Sequence, residues 1–329
     1  MKATKFIHVL KTPCPGNNSV DPLVWTSVSV ILGDEITIID SAYAGFWKSK
    51  IIPFLKRVNR DPHDVSLIIH THSNGDHIGS DEEIREATGA KVAISEAGAE
   101  ALENPGKDRE RHLAVFAHIL SKKEQEARRE RAFRRQLITH HVDRRLKNNE
   151  VLDLGPLSLE CIMLHGHEFD QLGFYDRDEE ILFSGDALFG RGAIRDTFVY
   201  MRENNIHGFY ESMAMLSEMS IIMLIPSHNY LPYDRKPILR DREVKDMIEQ
   251  TVSINNEVRE MILMLLRTYP RPLGAAEMSS FIIPRLGPGY IIPNPGPDDV
   301  VLSHLDALIK ENRVELVEKE ESIFFRLKH

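Results

Sequence analysis

Residues 71–77 read Thr71-His72-Ser73-Asn74-Gly75-Asp76-His77 and follow directly on the apolar run Val65-Ser66-Leu67-Ile68-Ile69. No other stretch constrains the chain so tightly. The apolar run has the length and β-branched content of a buried strand, so the heptad sits at a strand tip. Two imidazoles, a carboxylate and an amide crowd that tip. Burying such groups unpaired costs roughly 2–7 kcal/mol each. A divalent cation satisfies them together, because imidazole nitrogen and carboxylate oxygen both ligate it well.

The pattern recurs. Leu164-His165-Gly166-His167 follows the strand expected over 157–163, and Phe183-Ser184-Gly185-Asp186 follows Ile181-Leu182-Phe183. Ile225-Pro226-Ser227-His228 follows the apolar run 221–224. A polar loop accounts for any one of these histidines, but not for four strand tips in the same condition. A sheet that carries ligands on loops along one edge does account for them. His165 reads as a polar loop residue, with a substitute ligand as the alternative, since i and i+2 on a strand point the same way.

The heptad resembles the His-x-His-x-Asp-His signature of the metallo-β-lactamase superfamily, with Asn74 where the second His usually stands. His167 matches the isolated later His, Asp186 the bridging aspartate and His228 the final His, and the resemblance covers roughly residues 5–235. It implies an α/β (α+β) fold, an αββα sandwich of two sheets with helices outside. It also implies a first metal site at His72, position 74 and His167, a second at Asp76, His77 and His228, and Asp186 bridging them. Zinc is the implied ion, one or two per chain, with Mn²⁺ or Fe²⁺ less often. Two such cations lower the pKa of a shared water and polarise the scissile group, with Asp76 orienting or deprotonating that water. Asn74 departs from the family pattern. A neutral amide oxygen is a weaker zinc ligand than imidazole, so the first site is expected to bind less tightly. Oxygen-rich coordination moves preference towards Mn²⁺ or Fe²⁺. Tyr230, just past His228, is a candidate donor to the substrate, with a plain structural role as the alternative.

Strands are expected at about 5–10, 24–32, 35–40, 65–70, 91–94, 151–153, 157–163, 171–175, 181–183 and 221–225, and helices at 46–58, 79–87, 96–102 and 204–218. Residues 105–150 form an insertion whose charge differs from the rest. From Lys107 to Lys147 there are 13 Lys/Arg against 6 Asp/Glu, in a chain of net charge −9. It reads as one or two long helices running through Arg144-Arg145-Lys147. A solvated face is one reading; a lid that draws a carboxylate, phosphate or CoA ester towards the metals is the other. Beyond residue 235 come a helix over 242–266, a shorter one from Ala275 that Pro284 should end by Ile283, and a third over 298–311. The Pro/Gly-rich loop 287–297 joins the last two, and two strands close the chain. This order resembles a winged helix, and such modules occur in one branch of the superfamily. Helix 298–311 carries few basic residues, so packing or dimerisation is expected of it rather than nucleic-acid binding. Two domains follow, 1–235 and 236–329.

Cys14 and Cys161 are too few for a disulfide framework. The N-terminus lacks a signal-peptide core, and no apolar stretch suits a transmembrane helix. A cytoplasmic protein with a small, anionic substrate is the expectation. Three readings of function stay open. The first is a metal-dependent hydrolase of an ester, lactone or thioester. The second is a phosphodiesterase or endoribonuclease with the basic insertion as its clamp. The third is a non-catalytic or di-iron redox member of the fold.

Overall fold

The computed structural model describes residues 1–13, 25–134, 137–193, 201, 203–287 and 296–328. Cys14 and most of the loop expected over 287–297 lie outside them. The first sheet runs in the order β1 (Ile7–Pro13), β2 (Trp25–Leu32), β3 (Ile36–Ile39), β4 (Val65–Ile69), β5 (Lys91–Ser95) and β6 (Arg144–Leu146). Its first three strands are antiparallel, and β3 to β6 are parallel. The second sheet holds β7 (Val151–Asp153), β8 (Ser158–Met163), β9 (Leu172–Asp176), β10 (Ile181–Gly185), β11 (Met223–Pro226) and β12 (Leu239–Arg240), ordered from β12 to β7.

Strand periodicity explains the layers. Ile31, Ile39, Ile69 and Ala93 of the first sheet meet Leu159, Cys161, Phe174, Phe183 and Ile225 of the second in one buried cluster. Their strand neighbours point the other way. Val30, Ile38, Ile68 and Val92 pack beneath Trp47, Ile51, Phe54 and Leu55 of the helical segment 47–57. Leu182 and Leu224 face the helices of the opposite layer. Both faces of each sheet are covered, so the central strands are continuous apolar runs. This is an αββα sandwich.

The insertion differs from its sequence reading at one end. Helices Pro105–Ala114 and Lys122–Phe133 form as the pattern suggests, but Arg144–Leu146 is an edge strand pairing with β5. Leu146 is buried in the sandwich core while Arg144 and Arg145 stay exposed and pair with Glu150 and Glu103. One inward apolar residue between outward charges is a strand signature, which a reading by helical charge pattern hides. The insertion's apolar residues Phe116, Ile119 and Leu120 are buried among the C-terminal helices, and Arg128 pairs with Asp299 there.

The C-terminal segment folds as helices Arg242–Thr268, Ala275–Leu286 and Asp299–Lys310, then a hairpin of Val314–Lys319 and Ser322–Leu327. The middle helix runs through Pro284 instead of ending before it. The proline deprives only the Ser280 carbonyl of a partner, and Ser280 is exposed to water that can replace it. One apolar cluster is continuous from Leu182 and Leu224 of the second sheet through helix 242–268 to Phe325. Among the described residues, no helix is long and apolar enough to cross a membrane.

Candidate metal centre

Five strand ends deliver polar side chains to one place. The β4 tip supplies His70 to His77, the loop after β8 supplies His167, and the residue after β10 is Asp186. The residue pair after β11 ends in His228, and the residue after β3 is Asp40. Gly185 makes the turn into Asp186. Its φ is +55°, and a Cβ there would lie 2.8 Å from Thr71 side-chain atoms and 2.5 Å from Gln171 Nε2, so only glycine fits.

Asp186 is the hub. Its Oδ2 lies 3.4 Å from His228 Nε2, 3.6 Å from His77 Nε2, 3.6 Å from His167 Nε2 and 3.9 Å from His72 Nε2. Asp76 Oδ2 lies 3.2 Å from His228 Nε2 and 3.7 Å from His77 Nε2. The histidines and Asp186 are buried, whereas the Asp76 side chain is 26% exposed and opens to solvent. The Asn74 side chain also faces inwards: its Nδ2 donates to His167 Nε2 at 3.2 Å. Tyr230 is buried beside the cluster, its ring meeting that of His228 edge-on at 5.8 Å. His165 alone turns elsewhere, its Nδ1 donating to Glu203 Oε1 at 2.7 Å.

These residues suit a bound cation. His72 Nε2, His77 Nε2 and Asp186 Oδ1 are buried without a hydrogen-bond partner, which is rare for polar atoms in a folded interior. The donor sets His72/His77/Asp186 and Asp76/His77/His228 each bring ligand atoms within 4.8 Å of one another. The electrostatics agree with the geometry. Burial disfavours a charge on Asp186, yet His228 and His77 hold its carboxyl well below the usual range. Burial likewise opposes protonation of His77, but Asp76, Asp186 and Asp40 push it well above an ordinary imidazole. His72 is driven the other way, by burial and then by the nearby His77.

A buried carboxylate that the sequence reading passed over holds the inner wall. Asp40 Oδ2 accepts from His77 Nδ1 at 2.9 Å, and Asp40 Oδ1 accepts from the Thr71 amide at 2.9 Å. With Nδ1 donating to Asp40, Nε2 is the His77 nitrogen that a cation can take once its proton is displaced. Asp40 adopts φ 58°, a conformation aspartate tolerates better than most residues. Behind it, His70 Nε2 donates to Asp81 at 2.9 Å, and although burial opposes its charge, Asp81 and Asp40 raise it to about 9. The apolar run 36–39 ending in Asp40 obeys the strand-tip rule that located the other groups, so Asp40 was within reach of the sequence. Asp81, on a helix, carried no such signal.

The insertion reaches this loop. His112 Nε2 lies 2.8 Å from Glu168, the residue after His167, and the Arg111 guanidinium sits 4.3 Å over the Phe169 ring. Burial lowers the His112 pKa, but Asp108 and Glu168 outweigh it and raise it to about 10 from 6.5. A raised folded-state pKa contributes stability below pH 6.5 that drains away as the pH climbs towards 10. His112→Gln should therefore lower the melting temperature at pH 6 and have little effect at pH 10. Thermal unfolding at both pH values checks this; an equal deficit at both would refute it.

The family model of the metallo-β-lactamase superfamily matches residues 24–236. The chain belongs to the metallo-β-lactamase superfamily. This is a metallo-hydrolase superfamily whose members bind divalent metals, typically zinc. A hydroxyacylglutathione hydrolase of Hyphomonas neptunium is 27% identical over 173 residues, 52% of this chain and 51% of that protein. An acyl-coenzyme A thioesterase of Homo sapiens is 27% identical over 163 residues, 49% of this chain and 55% of that protein. The chain thus spans about half the length of these two relatives. A probable metallo-hydrolase of Bacillus subtilis is 22% identical over 205 residues, 62% of this chain and 85% of that protein. A metallo-β-lactamase family protein from Thermus thermophilus superposes with TM-score 0.70 at 20% identity, covering 98% of each chain. A β-lactamase domain protein from Burkholderia ambifaria gives 0.72 at 16%, covering 100% of this chain and 94% of the other. At those identities the likeness shows the fold, C-terminal segment included.

In this metallo-β-lactamase-fold chain, the Asn74 amide sits against the lone pair that His167 would offer a metal. Asn74→His is expected to raise metal occupancy beside His72 and His167, read by elemental analysis. Unchanged occupancy would mean that position 74 takes no part in holding metal.

Proposed function

We propose that this protein is a metal-dependent hydrolase of thioesters, with a small anionic carrier as the thiol half of its substrate. The observation that carries the reading is the convergence of four imidazoles on the single oxygen Asp186 Oδ2, with buried ligand atoms left unpaired. The thioester preference draws on the relatives named for S-acyl glutathione and acyl-CoA hydrolysis. His72 and His167 with Asn74 would hold one cation, Asp76, His77 and His228 another, and Asp186 would serve both. Zinc is the proposed ion. Bound there, divalent cations would supply a water acidified towards neutrality and polarise a carbonyl oxygen.

The chain's own groups do the rest. Asp76, the most open carboxylate of the cluster, takes the proton of the attacking water on Oδ2. Tyr230 is the proposed hydrogen-bond donor to the oxygen on which charge develops. Asp40 and Thr71 hold the imidazoles at a fixed angle, so little reorganisation accompanies reaction. The C-terminal helices and hairpin are taken as a winged-helix-like packing module.

The phosphodiester reading relied on the basic insertion as a clamp. Several of its cations are already engaged: Lys107 with Glu100, Arg111 with Asp108, Arg128 with Asp299 and Arg129 with Glu110. The deciding experiment pairs elemental analysis with turnover of an S-acyl glutathione, an acyl-CoA, a matched oxygen ester, a lactone and a phosphodiester. Thioester turnover abolished by chelation and restored by zinc is expected. Preferential phosphodiester cleavage, or metal-free protein with no turnover, would overturn the proposal.

A further inference from the structure

The loop His165-Gly166-His167 is gripped from outside the metal cluster. Glu203 Oε2 accepts from the Gly166 amide at 2.8 Å while Oε1 accepts from His165 Nδ1 at 2.7 Å, and the Glu203 side chain is only 9% exposed. Gly166 adopts φ +125°, and a Cβ there would lie 2.9 Å from Phe209 and 3.2 Å from Met201. The loop is therefore pinned by a charge-assisted bond on one atom and by close packing on the same residue. Its next residue is His167, one of the four imidazoles on Asp186.

The segment that carries Glu203 is itself held by the C-terminal helix 299–310. Ser303 Oγ donates to the Met201 carbonyl at 2.9 Å, and Asn204 Nδ2 donates to Asp306 Oδ2 at 2.9 Å. Asp306 is 2% exposed and also takes His118 of the insertion at 2.6 Å and Lys310 at 2.6 Å. One buried carboxylate thus joins the insertion, the C-terminal helix and the neighbour of Glu203. A rigid scaffold tied down on both sides of a loop limits how far its ligand can wander.

We propose that Glu203 is a positioning residue for the first metal site, and that helix 299–310 acts on that site through the Asp306–Asn204 contact. The inference rests on the metal reading of His167 given above. It assigns a task to the C-terminal segment, which supplies none of the seven candidate ligands.

The test uses full-length, metal-depleted protein titrated with Zn²⁺ in a calorimeter. Glu203→Ala is expected to weaken the His167-dependent binding step about tenfold, the scale on which outer supports of metal ligands act. The step that depends on His228 should keep its affinity. Glu203→Gln, whose amide oxygen still accepts from the Gly166 amide, should stay within about threefold of wild type. Asp306→Ala should weaken the same step as Glu203→Ala, by a smaller factor. Should Glu203→Ala fail to fold, Glu203→Asp serves, since the shorter side chain cannot reach both groups. His167→Ala separates the two ways of failing. If it leaves zinc uptake unchanged, the metal reading of His167 is wrong. If it weakens uptake while the Glu203 variants bind as wild type and merely melt earlier, Glu203 supports the fold alone and the proposal is overturned.

Discussion

Asp186→Ala is expected to strip metal from both positions and abolish turnover with it. Four Nε2 atoms lie within 3.9 Å of one Asp186 oxygen, and Asp76 is the other carboxylate in the cluster. On the proposed ligand set, removing Asp186 would take away the anion that offsets the repulsion between two cations and the one ligand proposed for both. Outer-shell substitutions at metal sites cost 10–100-fold in affinity, so loss of a shared ligand should exceed about 100-fold. Asp186→Asn keeps the shape and one oxygen without the charge, and should fall between. Metal content by elemental analysis and affinity by chelator competition decide the matter; full metal content in Asp186→Ala would refute its shared role.

The second large effect is expected at Asp40, which contacts the cluster only from behind. Besides His77 and the Thr71 amide, its carboxylate accepts from the Thr71 hydroxyl at 2.9 Å and the Ser227 hydroxyl at 3.3 Å. Asp40→Ala leaves these buried donors unpaired, a cost on the order of 3–5 kcal/mol for breaking a buried charged network. Metal affinity should drop 10–100-fold as well, because the His77 ring loses the bond that fixes its tautomer. Asp40→Asn separates the two effects. It retains volume and some acceptors, so stability should largely survive. If its amide N–H turns to His77 Nδ1, the ring must carry its proton on Nε2, where it can no longer ligate. Denaturant unfolding and zinc titration of both variants provide the readout. Equal metal affinity in wild type and both variants would show that Asp40 has no bearing on the centre.

The legibility of the centre in the sequence depended on how each group is attached to the fold. His72, Asp76, His77, His167, Asp186 and His228 all follow short apolar runs, and a strand rises about 3.3 Å per residue without choice of direction. Polar residues at such tips are therefore placed by the sheet itself, and strand order brings the tips together. Asp40 obeys the same rule. Glu203 does not: it lies between the strands β10 and β11, beyond Asp186, and its bond to Gly166 depends on where helix 299–310 packs. His165 shows the limit from the other side, since its strand spacing alone would aim it at the metals, and a single carboxylate turns it away.

What the residues determined unaided is the alternation of buried runs and the polar groups at their ends that are able to hold a cation. Those features are local, because burial of apolar strands and the polarity of their ends depend on a few consecutive residues. The tertiary structure alone decided that Arg144–Leu146 joins a sheet edge and that Arg128 of the basic insertion pairs with Asp299 of the C-terminal helix. It also decided that Asn74 faces His167 and that the C-terminal helix bonds Met201 and Asn204, on either side of the carboxylate that grips the loop before that histidine. These contacts join segments far apart in the chain and are set by packing and charge pairing that no short stretch encodes.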